Sequence, residues 1–311
     1  MQKQHTNMNY TIRQMTDTEA IIIRYGEIAL KGKNRINFEN KLLDNIERIA
    51  KARPKRTSGR FILYIDAKDM QKTAEKLKKV FGITSLSIAK EVDLDMDKIG
   101  SEALERAKGR RFRTFRITAQ RTQKRLKPSP DIEREIGAYI VEKTGKKVKL
   151  KDPDLEIFIE ISEHAYVFTE KMQCHGGLPV GIEGNVALII EEKNKKELDK
   201  SILAGLLMMK RGCNIYPFRY SSMKASMKKS ANDKKSLKLL EDYGAKTIVI
   251  AKDINEIQTK ALKMQCRALA IGNTIGNLSG PHKEIETDMV ILTPLISYNE
   301  KEISEKLKGF R

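Results

Sequence analysis

Beyond residue 184 the chain falls into a regular alternation that few folds can satisfy. Five short apolar runs, Val186–Ile190, Asn214–Tyr220, Lys246–Ala251, Arg267–Gly272 and Met289–Leu295, read as strands. Between and after them, segments near Glu197–Arg211, Lys234–Tyr243, Asn255–Met264 and Glu300–Leu307 carry helical spacing. Strands that are apolar on both faces need cover on both, and a helix between successive strands makes neighbours parallel. The pattern predicts a doubly wound parallel sheet over residues 185–311. The preceding stretch His175–Gly184, HGGLPVGIEG, is rich in Gly and Pro and reads as a linker.

The first half reads differently. Ala20–Gly26 has the pattern of a buried strand, Asn34–Ala50 of an amphipathic helix, Arg60–Ile65 of a strand and Met70–Val80 of a second helix, with Thr84–Val92 a further strand. A second unit follows, with a helix near Asp97–Ala107, a strand Phe115–Arg121, a helix Asp131–Lys143 and a β pair over Asp154–Lys171 that turns near Glu163-His164. Residues 1–19 read as a flexible tail. The expected class is α/β, with an α+β N-terminal half.

Charge is concentrated. The 311 residues carry a formal +19, and residues 101–150 hold fifteen Lys and Arg against six Asp and Glu. From Arg106 to Lys127 there are ten basic residues, and no acid stands between Glu105 and Asp131. Solubilising faces interleave both signs, whereas this run is arginine-rich, and arginine forks onto phosphate oxygens. It reads as a polyanion surface made by Arg110, Arg111, Arg113, Arg116, Arg121, Lys124 and Arg125. Aromatic residues make up 6% of the chain and Trp is absent, which favours contacts to backbone phosphates of a folded RNA over stacking along a single strand.

Other classes recede. No apolar run approaches the roughly 20 residues of a membrane span, and the N-terminus lacks the apolar stretch of a signal peptide. Three cysteines, Cys174, Cys213 and Cys266, have no C-x-x-C spacing, so a cytoplasmic protein without structural metal is expected.

Several motifs, in order, resemble the tRNA 4-thiouridine synthase (tRNA sulfurtransferase) family. They are Arg24-Tyr25-Gly26-Glu27-Ile28 with Leu30-Lys31-Gly32-Lys33-Asn34-Arg35, then Gly176-Gly177-Leu178-Pro179-Val180-Gly181, Met209-Lys210-Arg211-Gly212 and Pro294-Leu295-Ile296-Ser297-Tyr298. The resemblance implies a ferredoxin-like domain (20–84), a THUMP domain (85–174), the linker (175–184) and a PP-loop-type adenylating domain (185–311). It implies tRNA as partner, contacted also by Lys31, Lys33 and Arg35, and thiolation at uridine 8 through an adenylate and a persulfide. A homodimer and a sulfur carrier or modification enzyme as partner are further implications.

The PP-loop itself departs from the pattern. Where the family reads SGGxDS, this chain reads Glu191-Glu192-Lys193-Asn194-Lys195-Lys196-Glu197-Leu198-Asp199-Lys200-Ser201. Only Ser201 falls on the motif, and side chains replace the glycines that let backbone N–H groups wrap a pyrophosphate. Leu188, Ile189, Ser201 and Gly272 are the residues the resemblance assigns to a nucleotide. The second ATP-facing stretch, Gly272–Pro281, keeps Gly272 and Gly276 but carries Asn273 and Asn277 in place of Glu and Gln. Cys266 is the one thiol near the family's alternative cysteine position, and it has no partner. The expectation is a tRNA-binding family member with a degenerate adenylating site; the alternative is an active sulfurtransferase using ATP and magnesium through a divergent loop, with its sulfur donor in trans.

Overall fold

The computed structural model describes residues 18–220, 231–277 and 287–311. They form two compact units, one of residues 18–22, 64–67 and 87–170, the other of 23–63, 68–86 and the described residues from 171 to 311. Of the expected tail, residues 1–17 lie outside the described residues, and Glu19 already opens the first strand, β1 (Glu19–Tyr25).

In the first unit, the sheet is built from the second half of β4 (Ile83–Val92), β5 (Thr114–Arg121), β6 (Lys147–Val148), β7 (Leu155–Ile161) and β8 (Ala165–Phe168), in the order β4-β8-β7-β5-β6. β5 runs parallel to β6 and β7, while β7–β8 and β8–β4 are antiparallel. Alternation along β5 and β7 puts Phe115, Ile117, Leu155, Ile157 and Ile159 on one face. There they meet Ile99 and Ala103 of α3 (Met96–Ala107) and Ile132, Ile136 and Ile140 of α4 (Ser129–Thr144). α3 starts where the Asp95 side chain accepts from the Lys98 amide, and α4 stops at Gly145 in the left-handed region.

The second unit holds α1 (Arg35–Ala50), the hairpin β2 (Lys55–Thr57)–β3 (Arg60–Leu63), α2 (Ala67–Leu77, from Lys68 on) and β9 (Met172–Gln173), together with the predicted parallel sheet. That sheet is made of β10 (Asn185–Ile189), β11 (Asn214–Tyr220), β12 (Val249–Ala251), β13 (Cys266–Ala270) and β14 (Val290–Leu292), ordered β12-β11-β10-β13-β14, all parallel. Successive side chains of β10 point to opposite faces. Val186 and Leu188 pack with α5 (Lys195–Lys210), α6 (Ala231–Asp242) and α8 (Glu300–Phe310), whereas Ala187 packs on the side of α7 (Ile254–Lys263). Helices on both faces make the sheet doubly wound, as the alternation predicts.

The Gly- and Pro-rich stretch 175–184 is fastened rather than slack. Gly176 donates to the Ile83 carbonyl and accepts from Gly82, Leu178 donates to Lys210 O at 2.9 Å, and Gly181 donates to Gly212 O at 2.7 Å. Gly177 has φ +80°, and a Cβ there would lie 2.4 Å from the Lys210 carbonyl oxygen, so only glycine lets the two backbones touch. His175 stacks among Phe81, Tyr243 and Phe310, its ring centroid 4.7 Å from that of Phe310, and its Nε2 is 2.5 Å from the Tyr243 hydroxyl.

Candidate nucleic-acid interface and nucleotide crevice

α3 ends against a loop, residues 108–113, that carries Arg110, Arg111 and Arg113 into solvent before β5 begins. The loop is held by one carboxylate: Asp154 Oδ2 accepts from the amides of Arg113 (2.9 Å) and Thr114 (3.0 Å), and the Thr114 hydroxyl accepts from Asp154 N. Those two backbone donors hold the Asp154 carboxyl below its usual range. Half-buried Phe112 adds an apolar anchor, packed edge-on against Phe115 with centroids 6.2 Å apart.

The basic residues singled out from the sequence do different work. Arg110, Arg111, Arg113, Lys124, Arg125 and Lys33 are exposed and have no carboxylate partner among the described residues. Arg116 donates to the Leu150 carbonyl at 3.1 Å and Arg121 to the Leu126 carbonyl at 3.4 Å, so both hold neighbouring loops in place. Arg35 is engaged by Glu39 at 2.6 Å and by the Tyr25 hydroxyl at 3.2 Å; Lys31 lies over the Phe38 ring at 4.8 Å. Arg106, Lys108 and Lys127 are ion-paired with Glu102 and Glu19, Glu105 and Glu135. Of these, the cations of the 106–127 run sit at the two ends of β5, about 25 Å apart at the usual strand rise.

Parallel pairing adds residues that composition by segment did not bring out. β6 lies beside the start of β5, with Lys147 N donating to Arg113 O and Lys149 N to Phe115 O. This sets exposed Lys147 beside Arg113 and exposed Lys149 beside Phe115, on the edge where the arginine loop ends. The signal was present as Lys146-Lys147-Val148-Lys149-Leu150-Lys151, a basic run thirty residues downstream whose partner is defined only by sheet register.

In the other unit, strand order reverses between β10 and β13, and ligands of open α/β sheets bind beyond the carboxyl ends of strands at such a point. The residues there are drawn tightly together. Leu188 and Ile189 are buried in the sheet, and Ser201 is 1% exposed. The Ser201 hydroxyl accepts from Glu191 N at 3.0 Å and donates to Glu197 O at 3.1 Å. Asn194 caps α5 by accepting from the Glu197 amide at 3.0 Å. Buried Lys200 bonds Glu197 at 2.9 Å, and Arg219 pairs with Glu192 at 3.4 Å, both side chains largely buried. Gly272 presses on α5 so closely that a Cβ would lie 2.9 Å from Ser201 N. Ile275–Asn277 form a 3₁₀ turn, and Leu278–Pro281 of the second expected ATP-facing stretch, with His282, lie outside the described residues.

Burial acts on all three thiols. Cys266 is buried at the amino end of β13, opposite the crevice end of the sheet, and burial pushes it up to about 11. Burial likewise raises Cys213 and pushes Cys174 up to about 12. Thiolate is the nucleophilic form, and burial favours the neutral thiol at all three. Among the described residues no cluster of His, Cys, Asp or Glu has metal-binding geometry, and no helix is long and apolar enough to cross a membrane.

Residues 20–87 match the ThiI ferredoxin-like domain and residues 94–170 the THUMP domain. The crystal structure of PH1313 from Pyrococcus horikoshii is similar over 94% of this chain and 99% of that one, with TM-score 0.77 and 30% identity. A 4-thiouridine synthetase–RNA complex with bound ATP is similar over 94% of this chain and 85% of that one, with TM-score 0.77 and 27% identity. A probable tRNA sulfurtransferase of Alkaliphilus oremlandii is 30% identical over 336 aligned residues, covering 93% of this chain and 84% of the relative, and one of Thermoanaerobacter sp. is 29% identical over 94% and 86%. Shared in sequence over nearly its whole length and in fold through the parallel sheet, the likeness has one meaning: the chain belongs to the tRNA sulfurtransferase family.

Proposed function

We propose that this chain binds tRNA and serves thiolation at uridine 8 without adenylating the base itself. The observation that carries the reading is the basic surface at the start of β5. Arg110, Arg111 and Arg113 stand free on a loop braced by Asp154, and Lys147 and Lys149 flank them. Five cations held by a rigid sheet edge suit phosphates of a folded RNA. The family supports tRNA as the RNA, and the structural neighbour solved with RNA supports the same partner.

The residues of the crevice do not fit ATP. A phosphate cradle needs free backbone N–H groups at a helix N-terminus. Here Asn194 takes the Glu197 amide and Ser201 takes the Glu191 amide, while Glu191, Glu192 and Glu197 place negative charge where phosphates would approach. Lys200 and Arg219 already face carboxylates. A partner enzyme or sulfur carrier then completes the reaction on the bound tRNA. Calorimetry with ATP and magnesium, with and without unmodified tRNA, tests this: tight tRNA binding with no ATP heat is expected. Micromolar ATP binding would favour an active sulfurtransferase with a divergent loop, as the ATP bound in the 4-thiouridine synthetase structure suggests for that protein.

A further inference from the structure

A second cationic site lies at the carboxyl end of α5, at the far end of that helix from the crevice. Lys210, Arg211 and Lys306 line a cleft of about 550 Å³ with Tyr298 and Pro294, and Glu27 is the one carboxylate on its wall. None of the three cations has a carboxylate partner among the described residues, and Arg211 and Lys306 are exposed. The Lys306 ammonium stands over the Tyr298 ring, 5.6 Å from its centroid.

Cations at a helix C-terminus ordinarily serve the orphan carbonyls and the macrodipole. Here the backbone has already served them. Arg211 N donates to Leu207 O, Gly212 N to Met209 O, Cys213 N to Met208 O and Leu178 N to Lys210 O. Lys306 belongs to a different helix, α8, six residues into it. Two helices therefore bring three cations without a carboxylate partner to one cleft, whose wall holds a half-buried aromatic ring under Lys306 and an apolar proline. A planar base bearing a phosphate matches that combination; a carboxylate-rich protein surface would use the charges but not the ring.

We infer that this cleft takes an unpaired nucleotide of RNA, its base against Tyr298 and its phosphates on Lys210, Arg211 and Lys306. The inference rests on the tRNA reading above and adds a contact outside the THUMP domain. It is tested by fluorescence anisotropy on the full chain with unmodified tRNA across a salt series, and with a hexauridylate. The Lys210→Gln/Arg211→Gln/Lys306→Gln variant, with its urea midpoint as a fold check, should lose about two units of the log K against log salt slope, as three single-strand phosphate contacts require. Tyr298→Ala should weaken hexauridylate binding about tenfold, and Tyr298→Phe should hold it. Lys306→Gln, an exposed single change, should give part of the slope loss even if the triple variant folds poorly. Wild-type affinity and slope in the folded variants, or loss of a protein partner with tRNA binding intact, would overturn the inference while leaving tRNA binding by the chain standing. No tRNA binding by the wild type would overturn both.

Discussion

The hydroxyl of Ser201 sits 3.0 Å from the backbone nitrogen of Glu191 and accepts its hydrogen. The serine that the resemblance gives to a nucleotide thus closes the chain's own loop between β10 and α5. Ser201→Ala strips a partner from a buried N–H, which costs about 1–3 kcal/mol. Urea unfolding should report that loss, while tRNA affinity stays at the wild-type value. A drop in tRNA affinity without a stability change would contradict the structural role.

Asp154 holds the arginine loop by two backbone bonds. Asp154→Ala frees the loop to sample other conformations, so each tRNA contact has to be ordered on binding. A three- to tenfold loss in tRNA affinity is expected, roughly what ordering a freed loop on binding costs. An anisotropy titration at fixed salt measures it; unchanged affinity would mean the loop is held elsewhere.

Charge reversal at Arg110, Arg111 and Arg113 should weaken tRNA binding and flatten its salt dependence by about one unit per lost contact. Lys147→Glu/Lys149→Glu should do the same more mildly, because register puts them on the same edge. If only the arginine variant responds, β6 is not part of the interface.

Burial, aided by the charges of Lys210 and Lys78, lowers the His175 pKa below its ordinary 6.5. A folded pKa below the unfolded one means the unfolded chain binds the proton more readily. Stability contributed by neutral His175 is complete above 6.5 and falls as pH drops from there toward the lowered folded value. Thermal melts from pH 7.5 to 5 should show a decline that His175→Phe reduces; equal pH profiles would remove His175 as the cause.

Gly177→Ala puts a methyl 2.4 Å from the Lys210 carbonyl oxygen at a φ of +80°. Neither backbone can yield without breaking the Leu178–Lys210 bond, so a loss above about 2 kcal/mol is expected. For a unit of this size that lowers Tm by several degrees, roughly 2–4 °C per kcal/mol.

Much of this architecture was legible because long elements announce their period. Each predicted helix, from Asn34–Ala50 to Glu300–Leu307, has its counterpart within about three residues, and so has each predicted strand. β2, β6 and β9 were not legible, since two or three residues carry no period and exist only through their partners. That gap hid the Lys147–Lys149 contribution to the basic edge. Composition also cannot say which arginine finds a carbonyl, which is how Arg116 and Arg121 differ from Arg110 and Arg113. The stretch 175–184 has loop composition, yet its backbone donors reach Ile83, Lys210 and Gly212, contacts that no local pattern encodes.

Those same contacts set an order in time. Gly82 and Ile83 wait for Gly176, and the Asn45 amide reaches the Val180 carbonyl, 135 residues later. A ribosome that has released the first 170 residues has therefore supplied everything the THUMP-bearing unit contains, but only fragments of the unit to which α1 belongs. Domains close when their last segment emerges. The THUMP-bearing unit can thus close first, while α1 waits for Val180 before its Asn45 amide finds a partner.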